Sequence, residues 1–112
     1  MQVAETTDGA ISILTLQGDI DLHHSPELRA VLQAKVKAKC PALLIDMKDV
    51  GYIDSSGLAT LVEYFQGSRA YAGKVALTSL SARVKSVFEL VRLNEIFPIY
   101  ITVDEAKQGL QG

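Results

Sequence analysis

Apolar and polar positions along the chain alternate between two periods, and the change from one to the other marks the elements. Gln2 to Thr7 and Ala10 to Gln17 read as strands flanking Asp8-Gly9, a dipeptide suited to the positive φ angles of a tight hairpin turn. In the second strand Ile11 and Ile13 share one face while Leu14 and Leu16 share the other, which predicts a strand covered on both sides or at least well inside a sheet. Ser25-Pro26-Glu27 then reads as a helix start, with a hydroxyl cap, a proline at the first helical position and an acid in the first turn. Leu28, Val31, Leu32 and Val36 follow at helical spacing, and the segment stops before Pro41. Ala42 to Met47 is a nearly continuous apolar run of the kind a central parallel strand needs.

Beyond a loop through Val50 and Tyr52, the stripe Leu58, Leu61, Val62 and Phe65 predicts a second helix ending near Gly67 or Gly73. Lys74 to Thr78 is a short strand, and Val84, Val87, Phe88 and Val91 make a third helix capped by Ser79 or Ser81. Ile99 to Ile101 is a last strand, and Thr102-x-x-Glu105 has the form of a capping box for a final helix through Leu110. The order ββαβαβαβα implies one α/β domain over residues 1–112, with a mixed, mostly parallel sheet, an N-terminal hairpin and four helices.

Composition narrows what such a domain does. With 48 % hydrophobic and 21 % charged residues in 112, the chain is apolar enough to bury a core. A net charge of −2 supplies no basic field, so neither nucleic acid nor a membrane surface is expected as a partner. No apolar run approaches the about 20 residues of a membrane helix, and Met1-Gln2-Val3-Ala4-Glu5 does not resemble a secretory signal. Cys40 is the single cysteine, which fits a reducing cytoplasm.

The segment richest in chemistry is Asp54-Ser55-Ser56-Gly57, set between the central strand and the second helix. A helix N-terminus carries unpaired N–H groups and about half a positive charge. Asp54 or either serine can cap it, and Gly57 lets another backbone come close. A phosphoryl group on a serine here adds roughly 1.5 to 2 negative charges where the local field tolerates them. Taken alone, the tetrapeptide is ordinary capping chemistry.

Its surroundings say more. Leu16-Gln17-Gly18-Asp19-Ile20-Asp21 with His23-His24 precedes the first helix, and Leu44-Ile45-Asp46 leads through Val50-x-Tyr52-Ile53 to Asp54-Ser55-Ser56-Gly57-Leu58. Gly73-Lys74-Val75 and Ser81-Ala82-Arg83-Val84-Lys85-x-Val87-Phe88-Glu89 come next, with Leu93 and Ile96-Phe97 beyond. In this order and spacing the chain resembles the STAS-domain family of bacterial anti-sigma factor antagonists over nearly its whole length. The resemblance implies partner switching. The unphosphorylated antagonist binds an anti-sigma factor that is also an ATP-using serine kinase, is released when phosphorylated, and is restored by a serine phosphatase. It implies Ser55 as the acceptor, Ser56 as the less favoured alternative, and Asp54, Ser56 and Gly57 as the loop around it. Asp19, Asp21, His23 and Leu58 would line the docking surface. The same resemblance admits another partner, the ATPase of a lipid-transporting ABC system.

Other residues carry weaker signals. Asp19 and Asp21 fit a turn leaving the second strand as well as an acid/base pair, which would need a cleft. Adjacent His23 and His24 lack a third ligand at a metal-binding spacing, so no metal is expected. Asp46 is read as ending its strand and bonding the loop toward Asp54, Cys40 as inert, and Lys35, Lys37 and Lys39 as a solvated face at a helix C-terminus. No glycine-rich phosphate loop is present, so no cofactor is expected and ATP would belong to the partner. An enzyme using Asp46, Asp54 and Ser55 would need a pocket beside Ser55, and the expectation is a binding protein and not an enzyme.

Overall fold

The structure, a computed structural model, describes residues 1–111. Strands β1 (Gln2–Asp8) and β2 (Ile11–Gln17) form an antiparallel hairpin with Asp8 opposite Ile11, so the loop is Gly9-Ala10. Only Gly9 takes a positive φ, +60°, and glycine at the first central position is what the II′ turn requires. Asp8 therefore closes the strand and does not share the turn's unusual backbone.

Strands β3 (Ala42–Asp49), β4 (Lys74–Thr78) and β5 (Ile99–Tyr100) add in chain order and in parallel, giving a five-stranded sheet β1-β2-β3-β4-β5. Helices α1 (Ser25–Lys37), α2 (Ser55–Arg69) and α3 (Ala82–Leu90) provide the crossovers, and α4 (Val103–Gln111) follows β5. Alternation along β3 assigns the helices to faces. Leu43, Ile45 and Met47 pack with Leu28, Leu32, Leu61, Tyr64, Val84 and Phe88 of α1, α2 and α3. Ala42 and Leu44 pack instead with Ala106 and Leu110 of α4. β2 is covered on both sides as its sequence implies, with Leu14 and Leu16 in the first cluster and Ile11 and Ile13 in the second.

Two expectations need correction. Ser25 does not cap α1. The N-cap is His24, in a helical conformation and without a side-chain cap bond, while Ser25 is buried. Asp46 does not end β3, which continues to Asp49. Its parity places it on the face opposite α1–α3, buried, where Oδ1 accepts from the Lys48 N–H at 3.1 Å; it bonds its own strand and not the loop at Asp54. α2 ends at Arg69, between the two glycines expected to close it, and at Gly67 a Cβ would lie 3.2 Å from Val36 Cγ2, so that glycine also permits close packing of α2 on α1.

Elsewhere the local chemistry behaves as read. Ser81, and not Ser79, caps α3 by accepting from Val84 N–H at 3.2 Å. Thr102 Oγ1 accepts from Glu105 N–H at 3.2 Å, although the return bond runs from the Thr102 hydroxyl to Glu105 Oε1. Lys35 pairs with Glu5, whereas Lys37 and Lys39 are exposed. Cys40 is buried with Sγ 3.4 Å from the Ala42 carbonyl. No helix among the described residues is long and apolar enough to cross a membrane.

Candidate functional site

The connections that leave β2 and β3 do not separate where the strands end. After a register shift between Thr15 and Gln17, pairing resumes: Gly18 N–H donates to Asp49 O at 3.1 Å and Ile20 N–H to Tyr52 O at 2.9 Å. Asp54 N–H returns to Ile20 O at 3.1 Å, and Ile20 and Ile53 form a parallel bridge with both side chains buried. The loop entering α2 is thus held against the loop entering α1. Gly57 completes the clamp. A Cβ at that position would stand 2.6 Å from Ile20 Cγ2, 2.8 Å from Ile53 Cγ1 and 2.9 Å from the Ile20 carbonyl oxygen, so only glycine lets the helix seat here.

Asp54 is the cap of α2. Its backbone is extended, and Oδ1 accepts from Ser56 N–H at 2.9 Å and Gly57 N–H at 3.1 Å. Oδ2 reaches across the clamp to accept from Leu22 N–H at 3.0 Å. The Ser56 hydroxyl, donating to Oδ1 at 2.6 Å, is the main cause holding the Asp54 carboxyl below its ordinary range; the Gly57, Leu22 and Ser56 N–H groups act the same way, against the opposing effect of burial. The two serines of the tetrapeptide are therefore unlike. Ser55, the first residue of α2, is exposed, and its hydroxyl has no hydrogen-bond partner among the described residues. Ser56 is half-buried and tied to Asp54 and, at 2.8 Å, to Ser25 Oγ.

Around Ser55 the loops present a mixed surface. Asp19 and His23 are exposed, as the docking reading requires. Asp21 is half-buried and engaged locally. It accepts from His24 N–H at 3.0 Å and meets His24 Nδ1 at 2.8 Å, and the His24 N–H above all lowers its pKa. The rings of His23 and His24 meet edge to face, and no group of metal-ligating side chains occurs among the described residues. Leu58 is not on this surface. At 9 % exposure it lies in the core with Ile20 and Leu61, because the apolar stripe to which it belongs faces the sheet.

Sequence reasoning missed the apolar groups that do face out. Leu22 is 76 % exposed and Tyr52 37 %, and the Arg83 guanidinium of α3 stacks over the Tyr52 ring at 5.2 Å. Leu22 lies outside every periodic stripe, between two polar neighbours, which was the available signal. Arg83 and Tyr52 are distant in sequence, so their contact had none.

None of the cavities described is lined by Ser55. Two of the helix-end amides, those of Ser56 and Gly57, are occupied by Asp54, so this helix terminus is less receptive to a phosphate than its sequence implies.

Comparison with known proteins agrees with this geometry. The model of the STAS domain family matches residues 2–106. An anti-sigma-B factor antagonist of Bacillus subtilis is 33 % identical over 86 residues, 77 % of this chain and 78 % of that one. Its counterpart in Listeria monocytogenes is 32 % identical over 82 residues, 73 % of this chain and 72 % of that one. A solved anti-sigma factor antagonist from Mycobacterium paratuberculosis superposes with a TM-score of 0.91 at 24 % identity, covering 99 % of this chain and 94 % of the other, which speaks to the fold.

Proposed function

The chain belongs to the STAS domain family, among its anti-sigma factor antagonists, and from that premise we propose that it is a partner switch controlled at Ser55. In this reading the unmodified protein docks an anti-sigma factor in the cytoplasm through the surface formed by Asp19, Leu22, His23, Tyr52 and the start of α2. The anti-sigma factor is also the serine kinase, and a serine phosphatase reverses its action. The protein itself acts by binding and not by catalysis.

One observation carries the reading: an exposed, unpartnered Ser55 hydroxyl stands on a helix start whose fold is secured by other groups. Phosphorylation there leaves Asp54's cap bonds and the Gly57 packing in place. What changes is the outward surface, where a close-packed partner meets an uncompensated dianion. Moving an interface from 99:1 to 1:99 takes about 5.5 kcal/mol, a differential affinity of about 10⁴. Burial of an unpaired double charge is of that order.

The test is titration of the cognate anti-sigma factor with the unmodified protein, with protein phosphorylated by that kinase and ATP, and with Ser55→Ala and Ser55→Asp. Unmodified and alanine forms should bind alike, the phosphorylated form about 10⁴-fold more weakly, and the aspartate form in between because it carries one charge. Equal binding by all four forms would end this reading.

A further inference from the structure

Asp54 has one more carboxylate oxygen than a helix cap needs. Oδ1 alone takes the capping donors, accepting from the Ser56 and Gly57 N–H groups and from the Ser56 hydroxyl. Oδ2 accepts from Leu22 N–H at 3.0 Å, across the two loops. That bond continues a ladder. Ile20 N–H donates to Tyr52 O and Asp54 N–H to Ile20 O, so Leu22 N–H stands where a parallel strand would next meet the Asp54 carbonyl. This carbonyl has already turned into α2, where it accepts from Leu58 N–H at 3.0 Å. The side chain takes its place. Just beyond, His24 N–H is pinned to Asp21 Oδ1 at 3.0 Å. Leu22 is thus held at its backbone between two fixed points, while its side chain is 76 % exposed. A surface leucine alone calls for no explanation. One whose N–H is fixed by a carboxylate 32 residues away, next in sequence to the exposed Ser55, does.

We propose that Leu22 is the apolar anchor with which the protein enters its partner, and that Asp54 is the positioning residue that presents it. This rests on the partner-switch reading above, and the occupant is the anti-sigma factor, offering an apolar pocket to Leu22. Aspartate, asparagine or serine would each secure the start of α2. Of these, aspartate alone can cap α2 with one oxygen and hold Leu22 N–H with the other. In asparagine the amide oxygen stays with the three capping donors, which leaves its NH2 group facing Leu22 N–H, donor against donor. Asp54 also links the anchor to the switch, because the residue that fixes Leu22 immediately precedes Ser55.

The experiment is titration of the cognate anti-sigma factor, with ATP left out so that no serine is modified, by wild type, Leu22→Ala, Asp54→Asn and the double variant. Leu22→Ala should weaken binding about ten-fold or more, the loss on withdrawing a leucine side chain from an apolar pocket. Asp54→Asn should weaken it about five-fold, the worth of one hydrogen bond of ordinary net strength. It should add nothing to Leu22→Ala, since no anchor is left to present. Hydrogen exchange on the free protein separates presenting from capping. In Asp54→Asn the Leu22 N–H should exchange faster, with the Ser56 and Gly57 N–H groups as protected as in wild type. Should Asp54→Asn fail to fold by circular dichroism, Asp54→Ser, which caps a helix but is too short to hold Leu22 N–H as well, takes its place. An equal loss of binding from the Asp54 variant with and without Leu22 reduces Asp54 to a cap and overturns its positioning role. Wild-type affinity in Leu22→Ala overturns the anchor and leaves the partner switch standing. Failure of the wild type itself to bind overturns both.

Discussion

Helices α1 and α2 start side by side and are secured in opposite ways. From its sequence α1 has the stronger start signal, with serine, proline and glutamate in successive positions, and α2 has an ambiguous one with several groups able to cap. In the folded chain α1 has no side-chain cap, while Asp54 takes two amides of α2 and a third from the neighbouring loop. The serine expected to cap α1 is buried and donates its hydroxyl back to the Asp21 carbonyl, in contact with Ser56 of the other start. A side chain at a helix start is recruited by whichever donor or acceptor the tertiary fold brings within reach, and burial decides between them. Here the outcome concentrates the polar bonding on one loop and leaves one hydroxyl, Ser55, out of it.

Changes at the two starts should therefore differ in size and in kind. The largest effect is expected at Gly57→Ala. The added carbon meets the Ile20 carbonyl oxygen at 2.9 Å as well as two side chains, so the helix must shift, and overpacking of this kind costs about 1–3 kcal/mol. Urea unfolding reads it, and an unchanged midpoint would show that α2 is not clamped as described. Next comes the coupling between the starts. Ser25→Ala and Ser56→Ala combined should show a non-additivity of about 1 kcal/mol in a double-mutant cycle, whereas Ser81→Ala at α3 should add independently to either.

Smaller still is Pro26→Ala. Pro26 is exposed at the start of α1, so its removal mainly restores freedom to the unfolded chain, worth about 0.4–1 kcal/mol. A loss well above that range would mean that α1 depends on its first turn more than its missing cap suggests. The last effect vanishes near neutrality. Asp54 and Asp21 have folded pKa values lowered from 3.8, so the unfolded chain binds the more protons as pH falls into that range. Their contribution is fully present above the unfolded value and is lost as pH drops through the lowered folded value. Stability should be flat in this respect between about pH 5 and 8 and should decline below about 4. Asp54→Asn should lose less between pH 5 and 3 than the wild type, and an equal decline would remove Asp54 from the linkage.

Much of the molecule could be read before it was seen. The order of elements, the double coverage of β2, the Ser81 cap and the Asp54-Ser55-Ser56-Gly57 loop all rest on local rules or on period. The errors have opposite forms. Ser25 is read as a local cap and is buried against Ser56 of the other helix, whereas Asp46 is read as reaching toward Asp54 and bonds Lys48 of its own strand. For Leu58 the helical stripe points to the core, and the docking reading of the loop draws it outward.

Periodicity, turn chemistry and the tetrapeptide alone determined that this chain forms a layered α/β domain with two adjacent serines at a helix start, since those features act within one or two helical turns. Only the tertiary structure decided which serine is free, which groups hold the other, and which apolar residues face outward. Those outcomes depend on contacts across about 30 residues of chain, Leu22 to Asp54 and Ser25 to Ser56. No local propensity encodes them, because each bond exists only after two neighbouring strands have brought their loops together.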